Sequence, residues 1–440
     1  MSHHRISRVL GRRVWDSRGR PTVEAEVHLA SGAVGRAIAP SGASTGSGEA
    51  VDLRDGGAAF GGWGVEQALA NVNGEIAGIL EGMNTADQAS VDAAMIELDG
   101  TPDKHRLGAN AIIAVSMAVA HAAAAGEGVP LWRYLLEDRE PMLPLPEIQI
   151  FGGGAHAGRR VDIQDFMVVA LAADSFDQAL EWTAEVYRAA GRLMESAGTL
   201  QGVADEGGYW PVFATNEEGL ETLVRAIEDA GFVPGEEIAV CLDVAASQLG
   251  GGGRYRLGLE GRELDSDGLG EMLAGWIERY PIVSIEDPLA EDDEEGFVRF
   301  TRAVGGKVQI VGDDFLVTDA GRVRRAAGVG ACNAVLVKPN QAGTLSEARA
   351  ALEAARAAGW GTIVSARSGE TEDVTIVHLA VGWGAGQLKV GSITRGERTA
   401  KWNEGLRIAE TLGGPGDGDK GAPGDGDGPL PPASSFPWGR

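Results

Sequence analysis

The sequence predicts an α/β protein in which a β/α barrel follows a smaller α+β domain. The chain has 440 residues, which is too long for one minimal domain and suits a large barrel with a second domain. In its later part, short apolar runs alternate with helical segments, the pattern of buried parallel strands and their covering helices. The first part instead has strands followed by helices.

The N-terminal α+β domain is predicted to span residues 1–140. Residues 5–38 have the pattern of strands, because Val23, Ala25 and Val27 alternate with glutamates. A loop of small residues follows at Pro40–Gly46, and such residues allow close approach to a ligand. Helical patterns cover residues 64–80, 85–98 and 109–125. The last is interpreted as a buried helix and not a membrane span, because it carries Asn, Ser and His.

The barrel is predicted to span residues 141–412, since the Pro-rich segment 141–146 marks a boundary. Its strands are predicted from apolar runs, which are Phe166–Ala170, Ile238–Leu242, Ile282–Ile285, Val308–Val311, Ala334–Val337 and Thr362–Val364, with a weaker run at Gln387–Leu388. Residues 413–440 are rich in Gly, Pro and Asp and lack periodicity. They are therefore predicted to form a disordered tail.

The composition excludes several classes of partner. A net charge of −26 disfavours a nucleic-acid backbone or an anionic membrane surface, and an anionic substrate would need local lysine, arginine or metal. The two cysteines, Cys241 and Cys332, lie in or beside apolar runs and are predicted to be buried free thiols. No long apolar run follows the basic N-terminus, so we expect a soluble cytoplasmic protein.

Charged residues stand at the C-terminal ends of successive apolar runs, where the active site of a β/α barrel lies. They are three carboxylates and then two lysines: Asp243, Glu286, Asp313, Lys338 and Lys389. Any one of them is as readily an ordinary strand-end residue, but the whole set in consecutive strands is not. Three converging carboxylates would repel one another without a cation, and such oxygen ligands favour Mg²⁺.

The two lysines fit the same chemistry. A lysine near a metal and a second ammonium is expected to have a lowered pKa and to act as a base. Removing a proton next to a carboxylate leaves an unstable dianion, which a divalent metal and a second lysine stabilise. The pattern therefore predicts metal-assisted proton abstraction.

The chain resembles the enolase family over nearly its whole length. Long motifs in matching order carry the resemblance, and they are Asp16–Glu24, Ser41–Gly46, Leu53–Gly56, Gly108–Ile112, His156–Gly158, Asp205–Gly208, Ser284–Pro288, Val311–Asp314, Lys338–Thr344, Gly386–Lys389 and Arg398–Asn403. The resemblance implies an N-terminal α+β domain that caps a modified, TIM-like β/α barrel. It also implies a Mg²⁺-dependent hydro-lyase that forms a homo-oligomer, either a dimer or an octamer.

The resemblance further implies a metal-binding role for four matching residues. Asp243, Glu286 and Asp313 would hold one Mg²⁺, and Ser44 on the small-residue loop would help to bind a second.

Matching residues also imply how a small anionic glycerate substrate is bound and converted. Lys338 would remove the C2 proton, Lys389 would neutralise the carboxylate and the enolate, and Glu206 would protonate the leaving C3 hydroxyl. The remaining implied contacts are Arg367 and Ser368 with the phosphoryl group and His156 and Gln164 in the pocket wall.

The chain departs from the family pattern in the pocket region. Ala366 stands where the family has an active-site histidine, and Asp165 stands where it has a glutamate that assists the acid. Gly152 replaces a usual asparagine, and Ala155 replaces a frequent serine. The shorter Asp165 is expected to matter, because a displacement of about 1 Å is enough to cost substantial rate.

The metal ligands and both lysines are kept, so we expect retained elimination chemistry on a substrate of altered shape. Loss of the histidine beside Arg367 and Ser368 would make room near the phosphoryl group. The main hypothesis is therefore a substrate with a carboxyl group on phosphorus, as for carboxyphosphonoenolpyruvate synthase of phosphonate-antibiotic biosynthesis. The alternatives are ordinary enolase, which converts 2-phosphoglycerate to phosphoenolpyruvate, and a non-catalytic binding protein on an enolase scaffold.

Overall fold

The computed structural model describes residues 3–413, 430–431 and 436. The N-terminal part is an antiparallel sheet covered by helices, as predicted. Its strands pair in chain order and are β1 (Ile6–Trp15), β2 (Pro21–Leu29) and β3 (Val34–Ile38). Its helices are α1 (Glu66–Asn71), α2 (Ala77–Leu80), α3 (Gln88–Asp99), α4 (Ala109–Glu127) and α5 (Leu131–Leu136), with a π-helical segment, Val72–Ile76, between α1 and α2.

Helix α4 forms the core of this part against β2 and β3. By length and composition it is apolar enough to cross a membrane, but 83% of that stretch is buried inside the protein. Strand β3 lies so close to α4 that a Cβ atom at Gly35 would stand 2.1 Å from the backbone nitrogen of Ala122. The prediction of a buried helix is therefore confirmed, and glycine is required at its closest contact.

The second part is a closed eight-stranded barrel, which confirms the predicted fold class. Its strands in chain order, including a small separate sheet of β7–β9, are β4 (Leu145–Gly152), β5 (Asp165–Ala170), β6 (Ile238–Asp243), β7 (Gly250–Gly251), β8 (Arg254–Leu257), β9 (Arg262–Asp265), β10 (Ile282–Glu286), β11 (Gln309–Gly312), β12 (Ala334–Val337), β13 (Gly361–Ser365) and β14 (Gln387–Gly391). Its helices are α6 (Phe176–Ala197), α7 (Asn216–Asp229), α8 (Ser266–Arg279), α9 (Glu294–Val304), α10 (Ala320–Val329), α11 (Pro339–Ala342), α12 (Leu345–Ala357), α13 (Thr375–Trp383) and α14 (Gly396–Gly413).

One strand corrects the prediction of an all-parallel barrel. Strand β5 pairs antiparallel with both β4 and β6. The connection from β4 to β5 is a loop with one short 3₁₀ turn, Gly154–Ala157, and not a crossover helix, so the chain returns in the opposite direction. Strand β4 itself is absent from the sequence prediction, because it begins inside the Pro-rich segment that was interpreted as a domain boundary.

The barrel interior contains a layer of buried polar side chains below the strand ends. Gln309 donates to Ser284 Oγ at 3.2 Å and to Gln387 Oε1 at 2.9 Å, and Gln387 donates to Glu147 Oε2 at 3.1 Å. Burial raises the pKa of Glu147 from 4.5 to about 7. The Glu147 carboxyl group is therefore largely protonated in the folded protein below neutral pH.

Replacing Glu147 by glutamine is expected to stabilise the protein at alkaline pH. A carboxyl group whose pKa rises from 4.5 to about 7 on folding binds more protons when folded, so its contribution to stability falls as the pH rises through that window. The variant should therefore gain up to about 3 kcal/mol over the wild type between about pH 5 and pH 8. Denaturant unfolding at both pH values measures this gain, and parallel pH profiles of the two proteins would contradict it.

The opposite end of the barrel is covered by residues from the predicted tail. Phe436 is buried against Leu145, Met167 and Val169, and Leu430 packs on the same cluster. A wholly disordered tail is therefore wrong for these two residues, because their apolar side chains cover apolar barrel residues. The other tail residues, 414–429, 432–435 and 437–440, lie outside the described residues.

Candidate active site

A cavity at the C-terminal ends of the barrel strands brings most of the predicted site residues together. It encloses about 320 Å³, including its open mouth. The residues that line it are Ala43, Ser44, His156, Gln164, Asp165, Glu206, Asp243, Lys338, Ser365, Ala366, Arg367, Ser368, Lys389 and Val390. Of the predicted residues, Glu286 and Asp313 do not line the cavity, and each is ion-paired with one of the two lysines.

Lys389 on β14 connects three buried carboxylates. Its Nζ lies 3.0 Å from Asp243 Oδ2, 2.7 Å from Glu286 Oε2 and 3.5 Å from Asp165 Oδ2. Burial lowers the pKa of Lys389, but these carboxylates outweigh burial and raise it well above its usual value. The ammonium group therefore stays charged at neutral pH, as a group that neutralises an anionic substrate must.

Lys338 follows β12 and forms a buried ion pair with Asp313 Oδ2. Burial lowers the pKa of Lys338, but Asp313 raises it more, so the pKa lies above its usual value. The sequence predicts a lowered pKa for a lysine beside a bound metal, a state different from this ion pair, so that lowering stays a prediction. A cation bound to Asp313 would compete with Lys338 for the carboxylate, so the lowering depends on metal binding.

The carboxylates fit a hard divalent cation. Asp243 and Glu286 are register partners on β6 and β10, and Asp313 follows the next strand, β11. In the described part of the chain, Glu286 Oε1 is buried without a hydrogen-bond partner. Burial and the nearby Asp243 also raise the pKa of Glu286 well above its usual value. A divalent cation would satisfy this oxygen and relieve the repulsion.

Asp313 also belongs to a tighter acidic group. Its carboxylate oxygens and those of Asp287 and Asp314 lie within 4.8 Å of one another. Asp287 accepts the backbone N–H groups of Asp313 at 2.9 Å and Asp314 at 2.8 Å, so it holds the turn that carries both. Gln341 Nε2 donates to Asp313 Oδ1 at 2.9 Å. These contacts fix the Asp313 carboxylate beside Lys338.

A second group of ionisable side chains contains the predicted acid. His156 Nδ1 lies 2.9 Å from Asp165 Oδ1, and His156 Nε2 lies 3.6 Å from Glu206 Oε1. Burial lowers the pKa of His156, but the attraction of the two carboxylates outweighs burial. Together they raise the pKa of His156 from 6.5 to about 9. The imidazole is therefore cationic at neutral pH and links Asp165 to Glu206.

The predicted phosphoryl-binding residues contact the N-terminal domain. The Arg367 guanidinium donates to Glu49 Oε2 at 2.9 Å and to the Ser44 carbonyl at 3.0 Å. Ser368 Oγ accepts the Ala43 N–H at 2.6 Å. The loop that carries Ser44 thus lies on the side of the cavity that is predicted to bind the phosphoryl group. Glu49 was missed, because nothing in its local sequence separates it from a solvated loop carboxylate.

Ala366 lies in the cavity wall and is 6% exposed. Its N–H donates to the Lys389 carbonyl at 2.9 Å, which fixes its backbone beside the second lysine. The methyl side chain carries no titratable group. This position therefore contributes space to the cavity and takes no part in proton transfer.

Two glutamines complete the site. Gln164 Nε2 donates to Asp243 Oδ2 at 2.8 Å, in agreement with its predicted place in the pocket. Gln149 on β4 donates to Asp165 Oδ1 and was missed. The signal for Gln149 is a polar residue between Ile148 and Ile150 in a buried strand.

Comparison with known proteins covers both parts of the chain. Residues 6–135 match the family described as "Enolase, N-terminal domain", and residues 140–419 match "Enolase, C-terminal TIM barrel domain". Over 416 residues the chain is 49% identical to a curated protein named Enolase 1 of Desulfitobacterium hafniense (strain Y51). That match covers 94% of this chain and 95% of the relative.

Proposed function

Because the chain belongs to the enolase family of hydro-lyases, we propose that it removes water from 2-phosphoglycerate to give phosphoenolpyruvate. The observation that carries this proposal is the presence of Lys338, Lys389 and Glu206 in the wall of one cavity. A relative named as an enolase, with 49% identity, favours this function over the phosphonate synthase that the sequence first suggested.

In the proposed reaction, the two lysines act on the first step. Lys338 would take the C2 proton in its neutral form, which a cation on Asp313 would favour, and the electron pair of the broken C–H bond would remain on the substrate as an enolate. Lys389 lies next to Asp243 and Glu286 and offsets the charge on the substrate carboxylate. Mg²⁺ held by Asp243, Glu286 and Asp313, with a second ion at Ser44, would add positive charge to the enolate oxygens.

The second step uses Glu206 and the two side chains linked to it, His156 and Asp165. The electron pair of the enolate forms the C2–C3 double bond as the C3 hydroxyl leaves, and a proton from Glu206 converts that hydroxyl to water. The cationic His156 lies beside Glu206 and links it to Asp165. Arg367 and Ser368 would hold the phosphoryl group, which explains how a strongly acidic protein binds an anion.

The proposal is tested by following phosphoenolpyruvate formation from 2-phosphoglycerate by absorbance, with and without Mg²⁺. Mg²⁺-dependent turnover supports it. Mg²⁺ binding without turnover of any glycerate substrate would instead support a non-catalytic protein on the same scaffold. A cytoplasmic location and a homo-oligomeric state stay predictions.

A second candidate substrate is favoured by one observation, the methyl side chain of Ala366 in the cavity wall. A methyl group in place of an imidazole ring would leave more room beside Arg367, where an additional carboxyl group on phosphorus could lie, as in a carboxyphosphono-glycerate. The product would then be the corresponding enolpyruvate, formed by the same elimination. Turnover of this compound in preference to 2-phosphoglycerate would support a specialised role in phosphonate biosynthesis.

Replacing Ala366 by histidine is expected to fill that space. If the larger substrate is the natural one, the variant should lose about 10-fold or more of its kcat/KM for that substrate, because the ring blocks the added group. Its kcat/KM for 2-phosphoglycerate should be kept or raised. Steady-state kinetics with both substrates measure the ratio, and an unchanged ratio would exclude Ala366 as a determinant of substrate size.

A further inference from the structure

We propose that Gln149 is a positioning residue that compensates for the short side chain of Asp165, and that Gly152 leaves the space in which Gln149 lies. The inference concerns the acid half of the site. It rests on the proposed dehydration for its kinetic test, and it also has a test that needs no substrate.

Gln149 uses both ends of its amide group. The side chain is fully buried, Nε2 donates to Asp165 Oδ1, and Oε1 accepts the Gly208 N–H at 2.8 Å. Gly208 is two residues from Glu206, in the turn that carries the predicted acid. One amide group therefore joins the Asp165 carboxylate to the backbone of the Glu206 turn.

Asp165 depends on this contact for its position. Its Oδ1 atom receives both the Gln149 amide and the His156 ring nitrogen, the latter at 2.9 Å. Its Oδ2 atom has no hydrogen-bond partner in the described part of the chain and lies 3.5 Å from Lys389 Nζ. A carboxylate on a one-methylene stem reaches less far than the glutamate of the family pattern, so the donor that meets it must reach further. Glutamine supplies that reach.

Gly152 explains how the longer amide is accommodated. A Cβ atom at position 152 would lie 3.1 Å from Gln149 Nε2 and 3.2 Å from Gln149 Oε1. It would also lie 2.8 Å from the Cβ of Ala204. A side chain at 152 would therefore crowd both Ala204 and the Gln149 amide, and Ala204 or Gln149 would have to shift. Two departures from the family pattern, at 152 and 165, thus meet at one side chain.

The order of contacts shows what Gln149 does for catalysis. Gln149 contacts Asp165, Asp165 contacts His156, and His156 lies 3.6 Å from Glu206. Lys338 lies outside this chain of contacts, since its ion pair is with Asp313, whereas Lys389 meets it through Asp165 Oδ2 at 3.5 Å. A change at Gln149 should therefore impair loss of the C3 hydroxyl more than removal of the C2 proton.

The test compares Gln149→Asn, Asp165→Glu and the double variant, which moves one methylene from the amide side chain to the carboxylate side chain. Each single change is expected to lower kcat by about 10–100-fold with little change in KM, because the acid is misplaced. The double variant should recover at least about 10-fold of that loss. Exchange of the C2 proton in D₂O, followed by NMR, should persist in the single variants.

Gln309→Asn is the matched control. Gln309 is also fully buried in the barrel, but it bonds Ser284 and Gln387 and not the acid group. It should keep kcat within about 3-fold of the wild type. The proposal would be overturned if Gln309→Asn lost as much kcat as the single variants. It would also be overturned if the single variants lost C2 exchange together with turnover, or if the double variant recovered no activity.

Thermal unfolding without substrate separates this proposal from the proposed function. The melting temperatures of the four proteins in the cycle should be non-additive, because the two side chains contact each other. Non-additivity in a protein that does not turn over 2-phosphoglycerate would refute the function and leave the Gln149–Asp165 pair intact. Additive melting temperatures in an active enzyme would refute the pair.

Discussion

Replacing Lys338 by alanine is expected to lower kcat for dehydration by about 10²–10⁴-fold. Lys338 lies in the cavity wall and forms its ion pair with Asp313, one of the three predicted metal-binding carboxylates. Without it, no side chain at that position accepts the C2 proton. Exchange of the C2 proton with D₂O should disappear together with turnover, which distinguishes loss of the base from loss of the acid.

Lys104→Ala is the control for this variant. Lys104 is also a buried lysine, 4% exposed, in an ion pair of 2.9 Å with Glu347 outside the cavity. It should change the melting temperature without changing the chemistry, so C2 exchange per folded molecule should be unaffected. If Lys338→Ala exchanged the C2 proton at close to the wild-type rate, another group would be the base.

Replacing Glu286 by glutamine is expected to weaken Mg²⁺ binding by about 100-fold or more and to lower turnover by about 10³-fold at limiting Mg²⁺. The amide keeps the shape of the side chain but removes one of the negative charges that attract the ion. The change also takes one carboxylate from Lys389, which Asp243 still contacts at 3.0 Å. High Mg²⁺ should therefore restore part of the turnover.

Calorimetric titration with Mg²⁺ measures the first effect directly. The exposed Glu263 on β9 provides the control, because Glu263→Gln makes the same charge change away from the cavity. Equal Mg²⁺ affinities for Glu286→Gln and the wild type would show that Glu286 is not a ligand. The acidic group of Asp287, Asp313 and Asp314 would then be the next site to alter.

Much of the barrel and half of the site could be predicted from local sequence patterns. Buried parallel strands appear as apolar runs, and their C-terminal ends point to the same cavity, so a scan of run ends finds Asp243, Glu286, Asp313, Lys338 and Lys389. The rule succeeds because Asp243 and Glu286 end their strands and Asp313 and Lys338 directly follow theirs. Lys389 lies inside β14, but it directly follows the short apolar run Gln387–Leu388.

Other site residues do not stand at the C-terminal end of an apolar run. Asp165 precedes its apolar run, because β5 runs antiparallel and presents its first residue at the active-site end. Gln149 lies in a strand that the prolines conceal. The contact between Glu49 and Arg367 joins residues far apart in the chain, and no local pattern encodes it. These positions required either the family resemblance or the folded structure.

The reversed strand β5 has a consequence for how such an enzyme can change over time. One continuous stretch, from β4 through the following loop to β5, supplies Gln149, Gly152, His156 and Asp165. The predicted base and the predicted ligands Asp243, Glu286 and Asp313 instead come from separate strands later in the chain, and Ser44 comes from the loop after β3. Mutations confined to this short stretch can therefore alter the surroundings of the predicted acid without replacing the predicted base. Three of the four departures from the family pattern, at 152, 155 and 165, fall within it, so one short segment of the site has changed while the predicted base stays.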